Sequence, residues 1–344
     1  MWNTAETMSR LLAIRAYRYL SAALPAIAAA MMLAASPCRA QGQHEDEIVA
    51  NLAGGRVIVH VSQELISFAV IDKPIEANSH PPRVLSVDST HVGVLFGAAE
   101  WQLAADPKPT RLDKNFQRIT KQDPRYHAYP DETAPDLESI GVGFLERLRP
   151  LVAQLHTKLT FAPEEPIFEV VLIGYARDYG PEVWQLDYRI EQQEVGAYGK
   201  DYWQTRVLRP RFTQLYPPEG KKSPRMLVEI HYPADPDASS VNAIILRNDE
   251  RIGRLRAADP RFAKVIDNID KGQAQKAVDA DATGFLRALV PVIAAGDAHF
   301  VLGTIGESEG FEWVVAPEEP IETAMPDKNQ PPEAPSLRRK PKPQ

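Results

Sequence analysis

Residues Gly54–Trp101 read GGRVIVHVSQELISFAVIDKPIEANSHPPRVLSVDSTHVGVLFGAAEW. Two β-branched runs, Val57–Val61 and Leu65–Ile71, are separated by Ser62-Gln63-Glu64, which predicts a hairpin of two largely buried strands. Pro74 stops the second run, because proline cannot donate to a ladder. Arg83–Val87 and Val92–Phe96 make another pair turned at Asp88-Ser89-Thr90 and closed by Gly97. Four strands before the first helix make this stretch the front of a sheet system.

Upstream, Arg10, Arg15 and Arg18 precede the apolar run Ser21–Ser36, and Cys38-Arg39-Ala40 follows it. A basic start, a short alanine-rich core and a small-x-small end predict a secretory signal peptide over residues 1–40, cleaved after Ala40. The competing membrane anchor is disfavoured, since the run falls short of the ~20 residues a spanning helix needs and Pro25 interrupts it. Pro37 and the lack of a Leu-x-small triplet argue against lipidation at Cys38. Removing Arg10, Arg15, Arg18, Arg39 and Glu6 takes the formal charge from −7 to −10 and removes the one cysteine. An exported protein of this kind has no disulfide framework and no thiolate chemistry. Its acidity excludes nucleic acid and anionic lipid as natural partners.

Residues 41–53 read as a lead-in. Residues 106–135 carry scattered prolines, charges and aromatics without a period, which predicts a surface insertion. A helix is expected from Thr133 to about Leu159, with Thr133 as cap, Asp136 at its positive end and Pro150 as a kink. Ile140, Phe144, Leu145, Leu148, Leu151, Val152 and Leu155 form its apolar stripe. Phe168–Gly174 and Glu182–Tyr188 predict another strand pair. Residues 196–224 resist assignment. Met226–His231 and Val241–Leu246 look like strands, and Phe262–Gly296 is mostly helical with breaks expected at Gly272 and Gly284. His299–Ile305 and Phe311–Val315 predict a last hairpin, and the Pro-rich residues 317–344 a disordered tail. GFLERLRPLVA from Gly143 and GFLRALVPVIA from Gly284 share a pattern, each ahead of a strand pair. Two amphipathic helices can coincide this far by chance; the alternative is that each covers one sheet.

Few residues suggest chemistry. Gly306-Glu-Ser308-Glu-Gly310 matches G-x-S-x-G, but a nucleophile elbow needs a helix after it, and Phe311-Glu-Trp-Val-Val is strand-like. A hairpin turn accounts for it. No two of His44, His60, His80, His91, His127, His156, His231 and His299 stand at i, i+4, so no zinc motif is present. There is no phosphate-cradling glycine loop, and no cofactor is expected. Tyr198, Tyr202, Trp203, Phe212 and Tyr216, interleaved with Arg206, Arg209 and Arg211, fit a stacking surface for sugar or peptide or, more simply, a packing segment.

The order of these elements resembles the proteasome β-type subunits and their bacterial relatives among the N-terminal-nucleophile (Ntn) hydrolases. The opening hairpin ends FAVID72K where that family has a strand ending Ala-Ala-Asp-Ser-Arg. Arg83-Val-Leu-Ser-Val-Asp88 is similar to the lysine-led segment that follows. Val92–Glu100, VGVLFGAAE, looks like the strand ending Gly-x-x-Ala-Asp. Leu172–Asp187, LIGYARDYGPEVWQLD, resembles the family's strand, Gly-Pro turn and x-Leu-Tyr-x-x-Asp strand. The match covers Arg56–Tyr188 and, weakly, His299–Val315; residues 196–296 do not match.

The resemblance implies an α/β (α+β) fold, a four-layer α/β/β/α sandwich of two mostly antiparallel sheets, as one domain over residues 54–316. It also implies a threonine, serine or cysteine at the head of the first strand, whose free α-amino group activates its own side chain. Counting back from Asp72 places that position at Arg56, which cannot attack a carbonyl. Arg83 stands at the lysine position but cannot exchange protons near neutrality. Arg56, Asp72 and Arg83 are therefore the expected remnants of a pocket. A catalytically silent, exported periplasmic protein with a binding or structural role is the expectation, partnered by a second copy or an envelope protein. The alternative is an amidohydrolase or peptidase activated by processing at another residue, with Ser62 and Ser67 the nearest hydroxyls.

Overall fold

In the computed structural model the β-branched runs become ladders. The structure describes residues 48–317, apart from 74, 76–79, 88–89, 104–107, 115, 117–136, 157–164, 177–179, 198–199, 219–225, 236–238 and 295–298. The expected signal peptide, the start of the lead-in, most of the 106–135 insertion, the cap at Thr133 and the Pro-rich tail lie outside the described residues.

The chain is a mixed α+β fold with antiparallel sheets. The larger sheet has the order β1 (Ile48–Ala53), β5 (His91–Leu103), β7 (Phe168–Ala176), β8 (Gly180–Tyr188), β11 (Arg211–Tyr216), with β4 (Arg83–Ser86) and β6 (Thr110–Arg111) also on β5. The second sheet runs β12 (Val228–Tyr232), β2 (Gly55–Val61), β3 (Leu65–Asp72), β13 (Phe300–Gly306), β14 (Gly310–Val315). A separate ribbon pairs β9 (Ile190–Ala197) with β10 (Lys200–Val207). The helices are α1 (Leu137–Val152), α2 (Val241–Leu246), α3 (Glu250–Ala258), α4 (Pro260–Asp270) and α5 (Asp279–Ile293).

Strand alternation divides the core into three. Val57, Val59, Phe68 and Val70 of the second sheet share one apolar cluster with Val92, Val94, Phe96, Val171 and Ile173 of the first. The opposite face of the first sheet (Leu95, Val170, Leu172, Leu186) packs with Ile140, Phe144 and Leu148 of α1. The opposite face of the second (Ile58, Ala69, Ile71, Leu302) packs with Val265, Phe285 and Leu289 of the later helices. Successive side chains point to opposite faces of a strand, so one run of apolar residues serves two cores. The shared pattern in α1 and α5 now has a physical counterpart, each helix burying its stripe on a different sheet.

Several elements depart from expectation. Residues 48–53 are a strand on β5 rather than a lead-in. Val241–Leu246 is helix, not strand, because its first turn is satisfied by side chains. Ser240 Oγ accepts the Ala243 N–H at 3.1 Å, and Glu229 Oε2 accepts the Val241 N–H at 2.7 Å. Gly272 does follow a helix end, at φ +67°, whereas Gly284 lies inside α5. In the 106–135 stretch, Leu112 and Phe116 are buried against α1, and Arg147 donates to the carbonyls of Arg111, Leu112 and Lys114. Gly306–Gly310 is the β13–β14 turn, with Gly310 at φ +78°. No helix among the described residues is long and apolar enough to cross a membrane.

Candidate functional site

The chain passes from one sheet to the other at Gly54–Gly55, between β1 and β2. A Cβ on Gly54 would stand 2.5 Å from the Lys73 carbonyl oxygen, and one on Gly55 would stand 2.5 Å from that of Ile71 and 2.8 Å from Pro82. Only glycine lets the crossing strand lie this close to its neighbours. The Lys73 N–H donates to the Gly54 carbonyl at 3.0 Å, locking the crossing to the end of β3.

Asp72, the last residue of β3, is the cross-strand partner of Gly55. It shares the inter-sheet parity of Phe68 and Val70, and its Oδ1 is buried without a hydrogen-bond partner among the described residues. Desolvation raises its pKa above the ordinary carboxylate value, against the opposing effect of His299, His80 and the Lys73 N–H. Arg83, at the head of β4, donates from Nη2 to Glu100 Oε2 at 3.0 Å, and Asn51 Nδ2 donates to Glu100 Oε1 at 3.3 Å.

His80 stands between these groups. Its backbone N–H donates to Leu52, and its Nδ1 lies 2.8 Å from the Pro81 carbonyl, which makes Nδ1 the protonated nitrogen. Burial, chiefly, lowers its pKa; the Arg83 charge adds to this, while the Pro81 carbonyl and Glu100 oppose it. Asp72 and Arg83 therefore both act on one imidazole. Sequence reasoning counted His80 only as a lone histidine: its position follows from a parallel bridge to Ala53, which no spacing signals.

Arg56 is not part of this corner. It shares the parity of Ile58 and His60 on β2, so its side chain lies on the helix-facing side of the sheet. Nη1 donates to Glu229 Oε1 and Nη2 to the Ile293 carbonyl at the end of α5, each at 3.3 Å. Glu229 Oε1 is also 2.9 Å from His231 Nε2. One carboxylate thus gathers a guanidinium, an imidazole and the first N–H of α2. This is a clamp between sheet and helices, with the cation placed at a helix C-terminus where the dipole favours it.

A second polar seam lies under α5. His60 and Ser67 are cross-strand partners, and both are fully buried. Ser67 Oγ is 2.7 Å from Thr283 Oγ1, which donates to the Asp279 carbonyl at 3.0 Å. Ser62 Oγ donates to Asp279 Oδ1 at 2.6 Å, and His60 Nε2 lies 3.0 Å from the Ala274 carbonyl. The constellation holds serine, histidine and aspartate, but no serine hydroxyl bonds the imidazole: Ser67 is spent on Thr283, and Ser62 on the Asp279 carboxylate and the Leu65 carbonyl. It seats the first turn of α5 on the sheet. In the aromatic and arginine segment, Arg206 pairs with Glu191, and Phe212 lies so close to α1 that a Cβ on Gly141 would meet its ring at 2.6 Å. Tyr198 and the side chain of Tyr202 lie outside the described residues. Among the described residues no three metal-ligating side chains converge.

The site thus gathers Asp72, His80 and the Arg83–Glu100 ion pair at the sheet crossing, with Asp72 Oδ1 and His80 Nε2 both buried without a hydrogen-bond partner among the described residues and the expected nucleophile position turned away from it. A scan against protein-family models and a search of curated proteins return no match to this chain.

Proposed function

We propose that the chain is an exported protein with a proteasome-like, N-terminal-nucleophile fold that has lost catalysis and acts by binding or as a structural component of the envelope. The three stacked apolar clusters support the four-layer α/β/β/α arrangement that the resemblance implies. The observation that carries the silent reading is the position of Arg56 inside the chain. β1 precedes it, hydrogen-bonded to β5 in the other sheet, so no free α-amino group stands at the head of β2. An N-terminal nucleophile needs that amine as its base. Removing β1 to expose one would strip Ile48 and Leu52 from the core. The Asp72–His80 corner is the place where a ligand with hydrogen-bonding groups would meet polar side chains between the sheets.

Export and silence are tested together by the intact mass and first residue of the protein recovered from its natural compartment. A chain starting at Gln41 supports both. A start at Thr, Ser or Cys within the first strands overturns the silent reading in favour of a processed amidohydrolase, and retention of residues 1–40 overturns export.

A further inference from the structure

Four residues stand in one row across the larger sheet: Phe96 of β5 opposite Glu169 of β7, Glu169 opposite Asp187 of β8, and Asp187 opposite Arg211 of β11. Glu169 and Asp187 share the parity of Val171 and Val183, so both carboxyl groups face the space between the sheets. Each residue is 3% exposed. Glu169 Oε1 and Asp187 Oδ1 are buried without hydrogen-bond partners among the described residues. Two carboxyl groups side by side in a desolvated place cannot both ionise cheaply.

One cation answers them directly. Arg211 donates to Asp187 Oδ2 from Nε at 3.2 Å and from Nη2 at 2.7 Å, with its own side chain 56% exposed. Among the described residues the other neighbours bring no compensating charge to Glu169. Gln185 of β8 hydrogen-bonds it, Phe96 is apolar, and Tyr232 of β12 spends its hydroxyl on the Pro166 carbonyl at 2.9 Å. Arg189 lies two residues beyond Asp187 on the same strand's continuation and has interactions of its own. β11 is the edge strand, bonded to β8 alone, its first three residues exposed and its register shifted between Gln214 and Tyr216. Its Phe212 rests on Gly141 of α1, and Leu215 and Tyr216 pack against the apolar cluster between the sheets.

We propose that Glu169 and Asp187 carry one proton between them and that this proton latches β11 onto β8, so that rising pH opens the edge strand. Closed, the pair holds a neutral Glu169 beside an Asp187 carboxylate neutralised by Arg211. Opened, Glu169 reaches water and gives its proton to solvent. Burial first, and the Asp187 charge second, raise the Glu169 pKa from 4.5 to about 8. Opening therefore releases a proton wherever the pH lies between those values. The opening equilibrium grows by up to about tenfold per pH unit through that window and levels off above it. The latch does not depend on whether the protein is catalytically silent.

Hydrogen exchange of the full chain between pH 5.5 and 9.5, corrected for the intrinsic pH dependence of exchange, tests it. Protection in residues 211–216 should fall with pH and level off near 8, while β13 amides stay protected. Glu169→Gln, which mimics the protonated acid, should keep β11 protected and flatten the dependence. Asp187→Asn should move the levelling-off to lower pH, because one of the two causes is gone. A flat profile in the unaltered protein, an unchanged slope in Glu169→Gln or an unmoved plateau in Asp187→Asn would each overturn the proposal.

Discussion

Arg56 Nη1 and Glu229 Oε1 stand 3.3 Å apart with side chains 17% and 5% exposed, and their strands lie side by side in the second sheet. Removing the cation leaves Glu229 with His231 and the Val241 N–H but without its charge partner. Arg56→Met is expected to lower stability by about 1.5–3 kcal/mol, the range for a hydrogen bond to a charged group. Urea unfolding measures it. Arg56→Thr should lose as much and gain no hydrolysis of a fluorogenic peptide, since it supplies a hydroxyl without a free amine.

Asp72 responds to pH in the opposite sense from an ordinary paired carboxylate. Its folded pKa is raised, so the folded state binds the extra proton, and stability is lost as pH climbs from the unfolded value of 3.8 through the folded one. Asp72→Asn removes that penalty. The variant should melt at or above the temperature of the unaltered protein at pH 7, and that advantage should vanish near pH 3.5, where the folded carboxyl is neutral. A lower melting temperature at pH 7 would show that the ionised carboxylate is needed where it stands.

His60 gives an acid-side counterpart. Burial lowers its pKa from 6.5, opposed by the Ala274 carbonyl and the Asp279 charge. The unfolded chain therefore binds the proton first, and stability present above pH 6.5 is lost as pH falls below it. His80 is shifted the same way and adds to the slope. His60→Gln should flatten the fall between pH 6.5 and 5 in part, and His60→Gln with His80→Gln should flatten it further. Denaturant midpoints across that range decide it; identical slopes in all three proteins would remove burial of these imidazoles as the cause.

Much of the fold was legible, and what was missed shares a cause. The hairpins at Val57–Ile71 and Phe168–Tyr188 announce themselves because β-branched runs and their partners are close in the chain. β1 is short, and its partner residues Gly97–Leu103 lie far along the sequence, so IVANLA carries no mark of its ladder. In β9–β11 the polar residues give no alternation to read. The corner at Asp72 was half legible: the strand end could be placed, but His80, set among prolines, arrives through one bridge to Ala53. Arg56 reads as a vacated catalytic position from the resemblance. Its partner Glu229 is 173 residues away, and no local pattern reveals a clamp.

The misread helix α2 supplies its own test. VNAIIL has the composition of a strand, and the fold makes it helical by capping its start. Ser240→Ala deletes the acceptor for the Ala243 N–H and should cost about 1 kcal/mol. Asn242 ties the same turn to β12, accepting the Leu227 N–H at 3.0 Å and donating to its carbonyl at 2.8 Å. Asn242→Ala should cost a similar amount, and the pair together less than the sum if both act by seating one turn. A double-mutant cycle in urea reads this directly.

Gly54→Ala tests the crossing on which the placement of the site depends. The added methyl would press on the Lys73 carbonyl and the Ile75 side chain, and the backbone cannot give way without parting the crossing from the end of β3. The expected cost is about 1–3 kcal/mol, the range for overpacking a tight site. The damage should be local. Hydrogen exchange should rise in residues 48–55 and 72–73, because the Lys73 N–H to Gly54 bond is the first to strain. β7 and β8, on the far side of β5, should exchange as before. An equal loss of protection throughout both sheets would mean that the crossing is part of the global fold rather than a separable join, and would place the Asp72–His80 corner on the most stable part of the molecule.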